Sequence, residues 1–146
     1  RAAASSFLLS CDNAHAVHPN CPQKTDEGNC AYLNEGIVIK SHAGQKYTSD
    51  GISMALFQEI CRKAGVPVQY FANRSDMAGG STLGNLAMAQ MSMKAVDIGL
   101  PQLAMHSSYE TSGIKDLVYL EQASEIFFRT QLLEEADGTI RMTIHE

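Results

Sequence analysis

An alternation of strand and helix patterns in the middle of the chain limits its folds more than any other feature. "EGIVIKSH" (residues 35–42) has a β-branched apolar centre and reads as a strand. "SDGISMALFQEICRKAG" (49–65) then places Ile52, Leu56, Ile60 and Cys61 near one helical face, and Gly65 stops the helix. "VPVQYFAN" (66–73) is a strand again. Strands alternating with helices call for an α/β fold, here expected as three α/β/α layers around a mixed but largely parallel sheet.

The flanking segments extend the same pattern. Residues 5–11 read as a buried strand, under way almost as the chain begins, that delivers Asp12 at its C-terminal end. Residues 21–34 read as a loop. A glycine-rich turn, "SDMAGGSTLGN" (75–85), opens a Met- and Ala-rich segment reaching Met91, and "KAVDIGLPQLAMHS" carries a strand at 95–100 that Pro101 should break. A last helix is expected over 114–130, so residues 1–130 form the main unit. In the tail, 131–146, Ile140, Met142 and Ile144 alternate after an Asp-Gly turn, which suits either an extra edge strand or a disordered end. There is no internal repeat.

Composition excludes several functions. A net charge of −5 and the lack of any Lys/Arg-rich run argue against nucleic acid as a partner. No apolar stretch approaches the ~20 residues of a membrane helix. The first residue is Arg, and the apolar run Phe7-Leu8-Leu9 is too short for a signal-peptide core, so an interior start is expected. Cysteines at 11, 21, 30 and 61 form no Cys-x-x-Cys pair, which argues against a zinc ribbon or thioredoxin-like motif. Reduced thiols and a cytoplasmic location are the corresponding expectation.

Three loops beyond strand ends hold the polar chemistry: 12–20, 74–84 and 101–110. In open α/β sheets, ligands bind where such loops gather. Asp12 in "SCDNAHAVHPN" suits Zn²⁺ or Mn²⁺, and equally suits a turn or cap. His106 in "AMHSSYE" follows an apolar run that would hold its imidazole rigidly, as a ligand or as an ordinary loop histidine. Asp12, His15 and His18 cannot all ligate one ion from a regular strand, where alternate residues face opposite ways. Asp12 as ligand with His15 in the pocket is the better arrangement, leaving His18, beside Pro19, structural. "GGSTLG" lacks both phosphate-loop signatures, and Ser81 or Thr82 as a helix N-cap accounts for most of it. Its glycines still let backbone approach a substrate closely. Lys40 ends the run "GIVIK"; such a lysine is usually solvated, but in a pocket it would select substrates bearing a carboxylate.

Together, "DNAHAVHPN", "EGIVIK", "QKYTSD", "NRSDMAGGSTLGN", "VDIGLPQLAMHSSYET" and the closing helix resemble the aspartyl aminopeptidase family of dinuclear zinc peptidases, in order over roughly residues 5–130. The resemblance implies a zinc-exopeptidase domain (phosphorylase/hydrolase-like) that removes N-terminal Asp or Glu from short peptides. It implies two Zn²⁺ per complete site, with Mn²⁺ or Co²⁺ as substitutes, and assembly into a homo-oligomer, a dodecamer in the family. Two cations would activate a bridging water while a glutamate moves the proton. By the same resemblance Asp12 and His106 ligate opposite metals. His15, Lys40, Tyr47, Met77 and Gly80 line the substrate site, with Lys40 pairing the acidic side chain.

The resemblance is also incomplete. The family's first histidine ligand, bridging aspartate and adjacent Glu-Glu pair are expected upstream of residue 1, and its inserted dimerisation domain has no counterpart. Glu134-Glu135 follows the last helix, in the wrong order to replace that pair. A catalytic zinc takes three protein ligands plus water, whereas this chain offers each metal one. The expectation is therefore the C-terminal part of a peptidase domain, with no catalytic residue of its own and no activity alone. The competing expectations are a non-catalytic remnant serving in assembly or peptide binding, and a zinc-free module that binds small acidic ligands through Lys40 and the GGST turn.

Overall fold

The computed structural model describes residues 2–145. The chain opens with a 3-10 turn, Ala3–Ser5, in which the Ser6 hydroxyl donates to the Ala2 carbonyl (2.8 Å). That local bond competes with extended backbone, so β1 runs Phe7–Cys11 and starts two residues later than the apolar pattern suggests. A short β2 (Ala14–His15) follows, then a long loop and β3 (Ile37–Ser41).

Helix α1 (Gly51–Ala64) has the boundaries its sequence specifies. The Asp50 carboxylate accepts from the Ser53 N–H (2.7 Å), while the Ser53 hydroxyl accepts from the Asp50 N–H (2.9 Å). This reciprocal cap satisfies two donors that every helix start leaves over. Gly65 ends the helix in the left-handed region (φ 69°). Next come β4 (Val68–Ala72), α2 (Leu83–Gln90) and β5 (Lys94–Gly99).

Pro101 does not end extended structure. It begins β6 (Pro101–Leu103), which moves the chain into a second small sheet with β2 on one side and β7 (Thr111–Ser112) on the other. Proline is tolerated there because it is the first residue of its strand. Helix α3 (Ile114–Phe128) follows. The tail is a separate hairpin, β8 (Thr130–Glu134) with β9 (Ile140–Ile144), turning through Asp137 and Gly138. Met142 packs against the core, Glu134 pairs with Lys94 (2.6 Å) and Glu135 with Arg141 (3.1 Å).

The main sheet has the order β1-β5-β3-β4. β1 is parallel to β5 and β3 to β4, but β3 and β5 are antiparallel. One face carries Ile37, Ile39, Val96 and Ile98, covered by Phe57, Ile60 and Cys61 of α1 and by Ala123 of α3. Phe57, Ile60 and Ala123 have no exposed surface, so this layer holds most of the apolar burial that drives folding. The other face carries Ser10, Val38, Lys40, Phe71 and Asp97, with α2 lying against β1 and β5. The result is the three-layer α/β/α arrangement with a mixed sheet. Among the described residues no helix is long and apolar enough to cross a membrane.

Candidate functional site

The antiparallel junction between β3 and β5 changes where the loops meet. The chain leaves β1 and β5 at one end of the sheet and β3 and β4 at the other, so these loops cannot share one strand-end crevice. They converge instead over the second face, around a cleft of about 480 Å³. Asp12, His15, Lys40, Tyr47, Met77, Gly80 and His106 all line it. The structure thus brings these seven residues around one cleft, at a position over the sheet that was not expected.

Lys40 lies at the floor. Its register partner on β4 is Phe71, which also lines the cleft. The side chain is 2% exposed, against the solvated lysine that a strand end usually carries. Its Nζ donates to the Asp12 carbonyl (2.9 Å) and sits 5.1 Å from the Tyr47 ring centroid, a cation–π contact. Among the described residues it makes no ion pair. Burial pushes the ammonium below its ordinary range, opposed by the charges of Asp12, Asp97 and Cys11.

Tyr47 is held from both sides. Its ring packs on Phe71 (6.5 Å) and edge-on to His42 (5.9 Å). The next residue, Thr48, gives its N–H (2.6 Å) and hydroxyl (2.9 Å) to one oxygen of the fully buried Asp97 carboxylate, and Ser49 accepts from the Asp97 N–H (2.9 Å). These bonds stitch the loop after β3 onto β5 and fix the phenol over Lys40. Burial raises the Tyr47 hydroxyl above its usual value, while Asn73 beside it acts in the opposite sense.

The two candidate ligands sit on the rim. Asp12 is exposed at the end of β1, its main chain fixed by an N–H donated to the Ile98 carbonyl (3.0 Å). His106 is exposed in the loop after β6 with φ 66°, and its N–H donates to Glu110 (2.6 Å). Ala104, two residues earlier, also has positive φ (56°). Non-glycine residues in this region cost on the order of 1–3 kcal/mol. The loop is therefore held through its backbone, and the apolar run before His106 does not enclose the imidazole as expected. His15 is pushed below the usual imidazole range, first by burial, then by His106 and Lys40. His18 stays local: its Nδ1 accepts from the Asn20 N–H (3.2 Å).

The glycine-rich turn forms the opposite wall. Lys46 Nζ donates to the Gly79 carbonyl (2.7 Å). Thr82 is the first residue before α2, but its side chain makes no capping bond, and its hydroxyl is buried without a partner. The capping explanation of "GGST" therefore fails for Thr82, and Ser81 is exposed on the cleft. Met77 is 44% exposed and Gly80 opens onto free space. Sequence reasoning missed Asn73, Arg74, Thr82 and Asp97 as parts of this wall and its support. Asn73 could have been suspected from its place directly after a strand; Asp97, inside "VDIG", gave no such signal.

Zinc chemistry needs more donors than these residues bring together. Among the described residues no three His, Cys, Asp or Glu side chains cluster as a metal-binding group. Asp12 and His106 share the cleft without making a complete centre.

Fold and cleft together define a three-layer α/β domain with a polar cleft over one sheet face, and comparison with known proteins makes the class specific. The model of the Peptidase M18 family, described as aminopeptidase I zinc metalloprotease, matches residues 1–128. The chain belongs to that family. "Probable M18 family aminopeptidase 2" of Clostridium acetobutylicum is 50% identical over 128 residues, covering 88% of this chain and 30% of the relative. Its counterpart in Stutzerimonas stutzeri is 44% identical over 128 residues, with the same 88% and 30%. A cryo-EM structure of an Ape4 and Nbr1 complex matches with TM-score 0.80 and 40% identity, over 82% of this chain and 23% of that one. The S. cerevisiae mApe1 dodecamer matches with TM-score 0.73 and 28% identity, over 86% and 27%. The chain thus spans 30% of the length of the curated relatives named here.

Proposed function

We propose that this chain supplies the acid-recognising wall of a metal-dependent aminopeptidase that removes N-terminal Asp or Glu from short peptides. The observation that carries the reading is the Lys40 ammonium, 2% exposed, facing the cleft with a carbonyl and an aromatic ring for company and no carboxylate in ion-pair range among the described residues. A buried cation without an anion is costly. A ligand carboxylate entering the cleft would complete the pair.

His15, in the same cleft, offers a hydrogen-bonding ring, while Met77 and Gly80 shape the opposite wall. Asp12 and His106 serve as one ligand each to the family's zinc, and the remaining ligands and the proton-transferring glutamate come from residues this sequence does not contain. No hydrolytic step is assigned to a side chain of this chain, which is inactive alone. Similarity to the mApe1 dodecamer supports a homo-oligomeric assembly.

A second reading, a peptide-binding module of the same fold, uses the same buried Lys40 ammonium and cleft without hydrolysis. Hydrolysis by the complete protein carrying this chain, with zinc saturating, separates the two. Asp-Ala-Ala and Glu-Ala-Ala should be cleaved with kcat/KM about 10⁴-fold above Leu-Ala-Ala, the size expected when a buried polar site is left unpaired by the wrong substrate. Equal or better cleavage of the leucine peptide overturns the acidic reading. No cleavage of any of them leaves the binding module.

A further inference from the structure

We infer that Asn73 is a ligand-contacting residue of this cleft, a neutral donor that works beside Lys40 and Tyr47 on the oxygens of a bound carboxylate. The inference rests on the acidic-residue reading above and adds to it a residue that resemblance does not supply.

The starting point is an unsatisfied donor. The Asn73 Nδ2 is buried and has no hydrogen-bond partner. Leaving such a group unpaired costs about 1–3 kcal/mol, and native structures leave few. Only two other side-chain atoms share this state among the described residues, Thr82 Oγ1 and Asp97 Oδ1. Asn73 and Thr82 both line the one cleft. Unpaired polar atoms therefore concentrate where a ligand would supply the missing partner.

The surroundings hold the amide in place. Asn73 follows the last residue of β4, one position beyond Ala72, whose register partner on β3 is Ser41. Continuing that register sets it level with His42, which lies two residues beyond Lys40 as Asn73 lies two beyond Phe71, the register partner of Lys40. Across from it a Cβ at Gly79 would collide with Nδ2, so the glycine is what lets turn and amide approach. The turn cannot drift away, because Lys46 grips the Gly79 carbonyl (2.7 Å). The amide lies beside the Tyr47 phenol, whose hydroxyl it draws down against the upward push of burial. Amide and phenol are thus neighbours in the wall of the cleft, placed to meet a third group together.

That group is an acceptor with several lone pairs. Lys40 Nζ has three donors and spends one on the Asp12 carbonyl. Two ammonium donors remain, and Tyr47 and Asn73 line the same cleft beside them. A carboxylate, with two oxygens and about four acceptor positions, matches such a set, whereas an apolar side chain would leave every one of them unpaired.

The test is an NMR titration of the ¹⁵N-labelled chain with L-aspartate and, separately, L-leucine. The Asn73 side-chain amide pair is assigned by through-bond triple-resonance spectra of the doubly labelled wild type. In the wild type that pair should shift with aspartate and stay still with leucine, a readout that needs no variant to fold. Asn73→Ala should bind aspartate about tenfold more weakly, a loss of about 1.4 kcal/mol. Wild-type affinity in Asn73→Ala, with Lys40→Met losing aspartate, overturns the role of Asn73 and leaves the acidic cleft standing. A wild type that does not prefer aspartate to leucine overturns both.

Discussion

Replacing Lys40 by methionine separates recognition from stability. Methionine fills nearly the same volume without charge, so the floor of the cleft, packed by Phe71 and Tyr47, stays filled. Two effects on folding oppose each other. The variant loses a charged hydrogen bond to the Asp12 carbonyl (2.9 Å), a class worth about 1.5–3 kcal/mol. It also escapes the desolvation of an ammonium only 2% exposed, a penalty of several kcal/mol per ion. The fold should therefore change in stability by no more than about 1 kcal/mol. Binding behaves differently, because truncating one partner of a buried charge pair costs about 2–5 kcal/mol. Taking about 3 kcal/mol, L-aspartate should bind more than 100-fold more weakly, while L-leucine is unaffected. Calorimetric titration and urea unfolding of the same preparations read both quantities. Aspartate affinity within threefold of wild type would refute the role of Lys40. An unfolding free energy lowered by more than about 3 kcal/mol would show the lysine to be structural.

Other consequences are equally direct. Asp116, fully buried, accepts from the Asn34 N–H (2.6 Å) and the Gly36 N–H (3.0 Å) and so ties the start of α3 to the approach of β3; Asp116→Ala should cost about 2–5 kcal/mol in urea unfolding, and a loss below 1 would contradict that role. Burial pushes the Cys61 thiol up to about 12 from an ordinary 9.0. The raised value means that its contribution to stability is complete below pH 9 and is lost as pH rises towards 12, at about 1.4 kcal/mol per unit. Between pH 8 and 10 the wild type should therefore lose about 1.4 kcal/mol more than Cys61→Ala, and parallel profiles would contradict this. Finally, β1 and β4 each leave one edge of the main sheet unpaired, and α3 exposes Ile114 (80%), Leu117 (60%) and Phe128 (83%). Sedimentation should show self-association of the isolated chain, and a monodisperse monomer would contradict it.

What could be read from sequence was what local chemistry decides. Helix α1 was legible because Gly65 and the spacing of Ile60 and Cys61 act within a few residues of one another. Its buried face, however, runs through Ser53 and Phe57, and Ile52 of the expected face is 54% exposed. The seven candidate residues were singled out through long matching segments, and the structure places them around one cleft. The direction of β3 against β5 was not legible, since it depends on pairing across more than fifty residues and has no local signature. For that reason the cleft was expected at a strand-end crevice and lies over a sheet face. Pro101 was misjudged because a breaker inside one strand can equally well begin another in a different sheet. The burial of Lys40 followed from neither its run nor its neighbours: it results from the loop after β3 folding back, held by Thr48 and Ser49 on Asp97. Asn73 was invisible for a similar reason, its environment being set by a turn six residues further along the chain.

Zinc content per chain, measured by elemental analysis of the purified protein after mild dialysis, tests the central claim most directly. That claim is that these residues carry the recognising wall and only single ligands of the metal centre. Near zero zinc per chain is the predicted result, because no three donor side chains cluster among the described residues. About two tightly held ions per chain would contradict it and require a ligand set built from other residues.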